Sequence, residues 1–350
     1  MESSCYASDK QNEYLIIWPD KSEIEFVSAE NININLLPQQ LDKFWEEIMI
    51  KEIIIQNDID IYHVPQNGIG IPLSKKCSYI ITLHDIIPFR LPETVGPGYL
   101  KIFTKYVPKI LKIVDSVITV SEFSKKDICE FFDYNPSKVF VTHSAPEDIY
   151  KPLDKQEVES TLKQRFGIDF PYILYVGGFS PRKNLTRLIK AYNMIKDKID
   201  SIHLVIPGKL SRSFDEVRNL VIELGLSEYV HFLSYVEVEF MPYLYNGATL
   251  FVYPSLYKGF GLPPLEAMAC KVPTIASNTT SMPEVLKDAA LLVDPYSTLD
   301  IAEKILFVLQ NDNFRKDLSE KGYKLAKNYS WEKTISLTLT IYQQIFALKS

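Results

Sequence analysis

Short runs of apolar, β-branched residues alternate with longer helix-period stretches from one end of the chain to the other. That alternation predicts βαβ units and parallel sheets. In the first half it predicts strands at Tyr14–Trp18, Ile59–Val64, Tyr79–Leu83, Val117–Val120 and Val139–Thr142. In the second half it predicts strands at Tyr172–Val176, His203–Ile206, Val230–Phe232, Thr249–Tyr253, Thr274–Ala276 and Ala290–Val293. Helices fill the gaps, among them Asn184–Ile195, Phe214–Leu224 and Leu299–Gln310. The segment Ala145–Pro152 has two prolines and no periodicity, and it marks a link between halves. The fold class is α/β: two Rossmann-like, doubly wound domains, residues 1–152 and 153–330, facing a central cleft. Ligands in such sheets bind beyond the carboxyl ends of the strands.

Composition changes this picture little. A chain of 350 residues is too long for one typical core, which again argues for two domains. A net charge of −6 argues against nucleic acid as a partner. Cys5, Cys77, Cys129 and Cys270 are scattered, with no CxxC and no partnered His. That spacing fits a reduced, cytoplasmic protein better than a disulfide or zinc framework. The polar first ten residues contain no apolar signal-peptide core, and no apolar run is long enough to span a bilayer.

Candidate chemistry lies where strands meet glycines. The predicted strand Thr249–Tyr253 runs into Gly259 and Gly261, and Pro263-Pro264 suits a first helical turn. Strand, glycine turn and helix start form a phosphate-binding arrangement, because first-turn N–H groups and the helix dipole face an anion. Glu266 is expected in that first turn; the plainer alternative is an ordinary βα turn with a surface carboxylate. After Tyr172–Val176 come Gly177 and Gly178, then Arg182, Lys183 and Asn184. Arg supplies a bidentate fork and Lys a point charge, which suit a diphosphate, and Asn184 can cap the next helix. The alternative is a solvated basic pair. His84 and Asp85 end a strand, where a histidine faces the cleft or serves as a satisfied structural group. His143 is a second such candidate, while His63 and His203 read as structural. Gly98–Ile113 carries Lys101, Lys105, Lys109 and Lys112 on one stripe, with Ile102, Tyr106 and Ile110 on another. Such a face suits an anionic membrane surface, or simply solvent around a helix kinked at Pro108.

Several ordered motifs carry a resemblance. They are GFGLP at Gly259–Pro263 with Glu266 and Ala267-Met268-Ala269, the Gly177–Asn184 loop, Ser277–Glu284, Asp294-Pro295 and Tyr329–Glu332. Together they resemble the donor site of the retaining glycosyltransferases with the GT-B fold, numbered family 4. Three positions depart from that pattern. Lys258 stands where the family has its first Glu, and Gly178 where many relatives have an Arg. No glycine precedes Gly68, so the family's opening βα unit reads as absent or divergent.

The resemblance implies a retaining hexosyltransferase that moves a sugar from a nucleotide-diphosphate sugar to a glycan, lipid-linked or protein acceptor. Gly178, Arg182, Lys183, Lys258, Gly259, Phe260, Gly261 and Leu262 would hold the donor. His84 would contact the sugar and Glu266 the ribose hydroxyls. No metal and no cofactor are implied, because Arg and Lys neutralise the leaving diphosphate. The expected location is cytoplasmic, with peripheral contact at the inner membrane face through the four lysines. Residues 331–350 would form a helix that packs back on the first domain. Two other readings are weighed: a non-catalytic partner subunit of an oligomer that keeps the nucleotide pocket, and a sugar-nucleotide epimerase.

Overall fold

The computed structural model describes residues 9, 11–18, 30–36, 43–199, 201–209 and 213–348. Twelve strands appear among them: β1 Tyr14–Trp18, β2 Ile32–Leu36, β3 Ile61–Val64, β4 Ser78–Thr82, β5 Ser116–Thr119, β6 Val139–Val141, β7 Tyr172–Leu174, β8 His203–Pro207, β9 Val230–Leu233, β10 Leu250–Tyr253, β11 Thr274–Ser277 and β12 Leu291–Val293. Each predicted strand is present to within two residues. The addition is β2, whose alternating Ile and Asn pair in parallel with β1. Asn disfavours strands, so this segment's period-2 signal is half cancelled by composition.

Parallel pairing throughout reflects burial on both faces. All residues of β4, β10 and β11 are buried, as continuous apolar runs in a helix-covered sheet require. Alternate residues feed opposite cores: Tyr172, Leu174, Phe251 and Tyr253 on one face, Ile173, Leu250 and Val252 on the other. The large sheet has the order β12-β11-β10-β7-β8-β9. Strand order therefore reverses between β7 and β10, and such a switch point opens a crevice at the strands' carboxyl ends. The second sheet runs β3-β4-β5-β6, with its own core.

The helix Trp331–Ala347 closes the chain against that second sheet. Its Ile341 and Ile345 bury against Ile80 of β4 and Ile118 of β5. The Tyr342 hydroxyl meets His63 Nδ1 at 2.6 Å, and Thr334 donates to the His143 carbonyl at 2.5 Å. His63 is thus structural, as read from sequence; burial pushes its pKa down to about 4 and keeps the ring neutral.

The lysine-bearing helix spans Pro97–Ile110 and contains Pro108. Its buried stripe is Phe103, Val107 and Ile110, whereas Ile102 is exposed and Tyr106 half-buried. The sequence reading had Ile110 on the apolar stripe, as found, but took Ile102 and Tyr106, each one residue early, in place of Phe103 and Val107. Lys101, Lys105 and Lys109 are exposed on the helix, and Lys112 lies beyond its last turn. Among the described residues no helix is long and apolar enough to cross a membrane.

Candidate functional site

The loops after β7 and β10 flank the switch point, and cations converge there. Lys183 Nζ donates to the Tyr253 hydroxyl at 2.9 Å and sits 5.3 Å from that ring's centre. Lys258 Nζ lies 5.8 Å from the centre of the same ring. Burial, then the charges of Lys258 and Arg182, hold the Lys183 ammonium well below the usual lysine range. Arg182 adds a guanidinium whose Nε and Nη1 are buried without a hydrogen-bond partner. From the other domain Asp85 approaches; burial raises its carboxyl, and Lys258, Arg182 and His84 oppose that rise. Three cations outnumber the two carboxylates that feel their charge, Asp85 and Glu266, and the excess suits a multiply charged anion.

Local structure fixes these side chains. Asn184 has a left-handed backbone, φ +62°, which Asn tolerates. Its side-chain amide donates to the carbonyls of Pro254 at 2.9 Å and Pro295 at 2.6 Å, tying together the loops after β7, β10 and β12. Its Oδ1 accepts from Arg187 at 2.8 Å. Asn184 therefore does not cap the helix Leu185–Ile195 through its side chain, contrary to the sequence reading. On the other loop the Ser281 hydroxyl lies 2.9 Å from the Lys258 carbonyl and 2.8 Å from that of Phe260. Gly261 has φ +123°, and a Cβ there would meet Met282 at 2.4 Å. The helix Leu262–Ala269 starts directly after it.

The glycine loop is bolted to the first domain. A Cβ on Gly259 would lie 2.4 Å from the His84 carbonyl oxygen and 2.9 Å from Asp85 Cβ. Ser121 donates to the Gly259 carbonyl at 2.6 Å, and the Ser124 hydroxyl lies 3.1 Å from the His84 carbonyl. The Tyr257 hydroxyl bonds Asp127, which Arg90 clamps through Nε at 2.8 Å and Nη2 at 2.5 Å. Glu284 accepts from the backbone N–H groups of Glu122 and Phe123 at 2.8 and 2.9 Å. It thereby supplies a carboxylate to the start of the helix Glu122–Phe132, where the dipole favours negative charge. Burial works against ionised Glu284, but bonds from His143, Glu122 and Phe123 outweigh it and hold its pKa low.

His84 is oriented by the loop after β3. Its backbone N–H donates to Asn67 Oδ1 at 3.2 Å, and its Nε2 lies 3.2 Å from the Pro65 carbonyl. Asn67, at φ +56°, also donates from its side chain to the Tyr99 hydroxyl at 3.0 Å.

Glu266 is one turn into its helix, not in the first turn, because the helix begins at Leu262 and not at Pro263. Its carboxylate accepts from the buried Tyr245 hydroxyl at 2.6 Å. Burial raises its pKa to about 6, partly offset by the Tyr245 bond and Lys183. The folded state thus binds this proton more tightly than the unfolded chain, so between pH ~4.5 and 6 stability falls as pH rises. Glu266→Gln keeps the acceptor for Tyr245 and removes the charge. We expect it to melt higher than wild type at pH 7–8, by about 1–2 kcal/mol in stability, and to match it at pH 4. A variant that melts lower at both pH values would show that burial does not strain this carboxylate.

Comparison with known proteins assigns the framework. Residues 159–325 match the family model described as glycosyl transferases group 1, and residues 11–145 match that of glycosyltransferase family 4. The chain is 35% identical over 285 residues to the O-antigen chain mannosyltransferase B of Escherichia coli, covering 81% of this chain and 74% of that protein. The chain is a family 4, group 1 glycosyltransferase. The serotype-specific mannosyltransferase WbdA of Escherichia coli is 27% identical, and the match spans 34% of its length and 80% of this chain. Sucrose-phosphate synthase from Thermosynechococcus elongatus superposes with a TM-score of 0.77 at 19% identity, covering 99% of this chain and 92% of that one. Anabaena Alr3699/HepE in complex with UDP gives 0.72 at 15% identity, covering 96% and all of that chain. These neighbours share the GT-B fold, two α/β domains facing a cleft.

The glycosyltransferase brings most of the sequence-predicted residues together. His84, Arg182, Lys183, Lys258 and Gly259 meet at the mouth of the switch point. Gly178 borders open space, and its carbonyl accepts from Tyr175 at 3.2 Å. Phe260 contributes backbone only, since its ring is buried and stacks on His143 with centroids 5.9 Å apart. His143 thus braces the glycine loop from behind. His203 pairs with His231 at 2.8 Å and stacks on Phe170, a structural role as expected. Sequence reasoning missed Asn67, Tyr99, Ser121, Ser124, Asp127 and Tyr257. Ser121 did carry a local signal, an N-cap ahead of a helix. Nothing local marked its second partner in the other domain.

Proposed function

We propose that this glycosyltransferase is a retaining enzyme that transfers a mannosyl residue from a nucleotide-diphosphate mannose to a growing, lipid-linked or glycan acceptor of an O-antigen type. The observation that carries this reading is the convergence of Arg182, Lys183 and Lys258 at the strand-order reversal. The mannosyl choice follows the named activity of the two mannosyltransferase relatives above. The cations and the start of the helix Leu262–Ala269 would bind the diphosphate, and neutralise the charge that grows on it as the sugar leaves. Glu266, anchored by Tyr245, would accept from the ribose hydroxyls. His84 and Asp85 face the sugar end from the first domain. With the leaving group held by fixed cations, no divalent ion is required. Lys101, Lys105 and Lys109 would bring the cytoplasmic face to an anionic membrane that carries the acceptor. The presence of Lys258 at the family's glutamate position favours a second reading, a partner subunit that binds nucleotide without transferring.

Transfer assays with a panel of nucleoside-diphosphate sugars, mannose donors included, test the reading. The expected result is mannosyl transfer that persists in EDTA, with the anomeric configuration of the donor retained in the product by NMR. Inversion, or complete loss on chelation restored by manganese, would overturn it. Binding without transfer would favour the partner-subunit reading.

A further inference from the structure

Tyr99 carries an aromatic ring that is held in place at both ends and is still 42% exposed. It stands in the first turn of the helix Pro97–Ile110. The ring packs on Phe103, with centroids 5.5 Å apart. Its hydroxyl accepts from Asn67 Nδ2 at 3.0 Å. The Asn67 amide has one possible orientation. Its Oδ1 holds the His84 backbone N–H at 3.2 Å, and an N–H can only donate. Nδ2 therefore faces Tyr99, so the phenol oxygen accepts and keeps its own proton to give. Among the described residues no acceptor takes that proton. Asn67 is itself fixed, with φ +56° and its N–H on the Thr82 carbonyl at 2.7 Å.

The segment just ahead of the helix reaches the donor loop. The Thr94 carbonyl accepts from the Ser180 hydroxyl at 3.0 Å, and Ser180 directly precedes Pro181–Lys183. The helix start is thus tied to His84 through Tyr99 and to the loop of Arg182 and Lys183 through Thr94. Burial raises the pKa of the Tyr99 hydroxyl; the Asn67 bond opposes this and the Asp85 carboxylate adds to the rise. The same carboxylate feels Lys258 and Arg182, so Asp85 has both the cations and the phenol as neighbours. A diphosphate on the cations, with its sugar at His84 and Asp85, leaves Tyr99 facing the group that meets that sugar.

We propose that Tyr99 binds the acceptor, and that the acceptor's end unit is a neutral pyranose lying on its ring, with one hydroxyl accepting from the phenol. This rests on the donor-binding reading above. A pyranose has an apolar C–H face and polar edges, which match a flat ring with a hydroxyl handle. A ring already immobilised loses little more freedom when it binds. A bare lipid phosphate suits the place poorly, because the fixed charge that acts on the phenol is the Asp85 carboxylate. A neutral hydroxyl can approach that carboxylate and donate to it. In the transfer, the donor's anomeric carbon leaves the diphosphate oxygen and bonds the acceptor's hydroxyl oxygen, whose proton passes to the diphosphate. The enzyme therefore extends a sugar already in place, the product of an earlier glycosyl transfer.

Saturation-transfer NMR on the protein saturated with UDP or GDP reads the contact. The probes are the methyl glycosides of mannose, glucose, galactose and N-acetylglucosamine, with farnesyl phosphate as the lipid-phosphate probe. The expected result for wild type is saturation of the ring protons of at least one glycoside. Tyr99→Ala should weaken that binding at least about tenfold through loss of the ring contact. Tyr99→Phe should weaken it about fivefold through loss of the hydroxyl. Tyr99→Leu, apolar but without a flat face, should behave like Tyr99→Ala. Calorimetric affinities of all three variants for UDP and GDP should stay within about twofold of wild type, which a damaged fold would not allow. If no glycoside binds wild type, or Tyr99→Ala binds one as well as wild type does, the proposal is overturned while diphosphate binding keeps the donor reading intact. Farnesyl phosphate binding that depends on Tyr99, or full rescue by Tyr99→Leu, overturns the sugar as occupant. A fall in diphosphate affinity with Tyr99→Phe moves the residue to the donor and also overturns it. Failure of wild type to bind either diphosphate sinks the donor reading, and this proposal with it.

Discussion

Replacing both Arg182 and Lys183 with alanine is expected to weaken nucleoside-diphosphate binding by at least about a hundredfold. Each charge-assisted contact is worth ~1.5–3 kcal/mol, so two together give roughly 3–6 kcal/mol, or two to four decades of affinity. The same variant should melt within a few degrees of wild type. Nε and Nη1 of Arg182 have no protein partner to lose. The Lys183 ammonium is held below its usual range by burial and by Lys258, so removing it relieves repulsion while freeing the Tyr253 hydroxyl. Repulsion of this kind in the empty fold is what a ligand-binding site that trades stability for function would show. Calorimetry and thermal melts on wild type and the double variant measure the two quantities. Unchanged affinity would remove this turn from the donor site. A collapse in stability would show instead that the two cations hold the fold.

The strand–glycine–helix turns at the switch point were legible in the sequence because their signals are local. Glycines at Gly259 and Gly261 stand between a buried strand and a helix start, and Arg182-Lys183 follow a second strand by a few residues. Strand alternation also gave the order of elements along the chain, whereas the reversal of strand order between β7 and β10 is seen only in the folded sheet. The clamp between domains was not legible. Ser121 and Gly259 are 138 residues apart, and Tyr257 and Asp127 are 130 apart. A serine that caps its own helix, or an aspartate on a helix face, reads as a complete local feature. Only folding shows that each has a second partner. Glu266 fell between these cases: its presence in the helix was readable, but its place beyond the first turn depended on whether Leu262 or Pro263 opened the helix.

Gly259→Ala is expected to lower kcat/KM by about a hundredfold while lowering nucleoside-diphosphate affinity by no more than about tenfold. The added Cβ would lie 2.4 Å from the His84 carbonyl oxygen, and a backbone atom cannot rotate out of its way. Contact between carbon and oxygen needs roughly 1 Å more, so the loop and the first domain must part by about that distance. Parting them loosens the Ser121 bond to the Gly259 carbonyl and moves His84 and Asp85 off the cations. A displacement of about 1 Å in a positioned reactant can cost 10²-fold in rate. Arg182 and Lys183 lie on the other loop and keep their diphosphate contacts, whereas Lys258 and the start of the helix Leu262–Ala269 move with Gly259, so affinity falls less than the rate. Gly96→Ala, ahead of the helix Pro97–Ile110 and outside the proposed donor site, supplies the matched control. No heavy atom other than its chain neighbours lies within 4 Å of a Cβ there, and its φ is not positive. It should bind and transfer as wild type does, within about ±0.5 kcal/mol. Initial rates with a nucleotide sugar, together with diphosphate affinities, separate the two effects. If Gly259→Ala transfers as fast as Gly96→Ala, the contact between Gly259 and His84 does not set the geometry of the reaction.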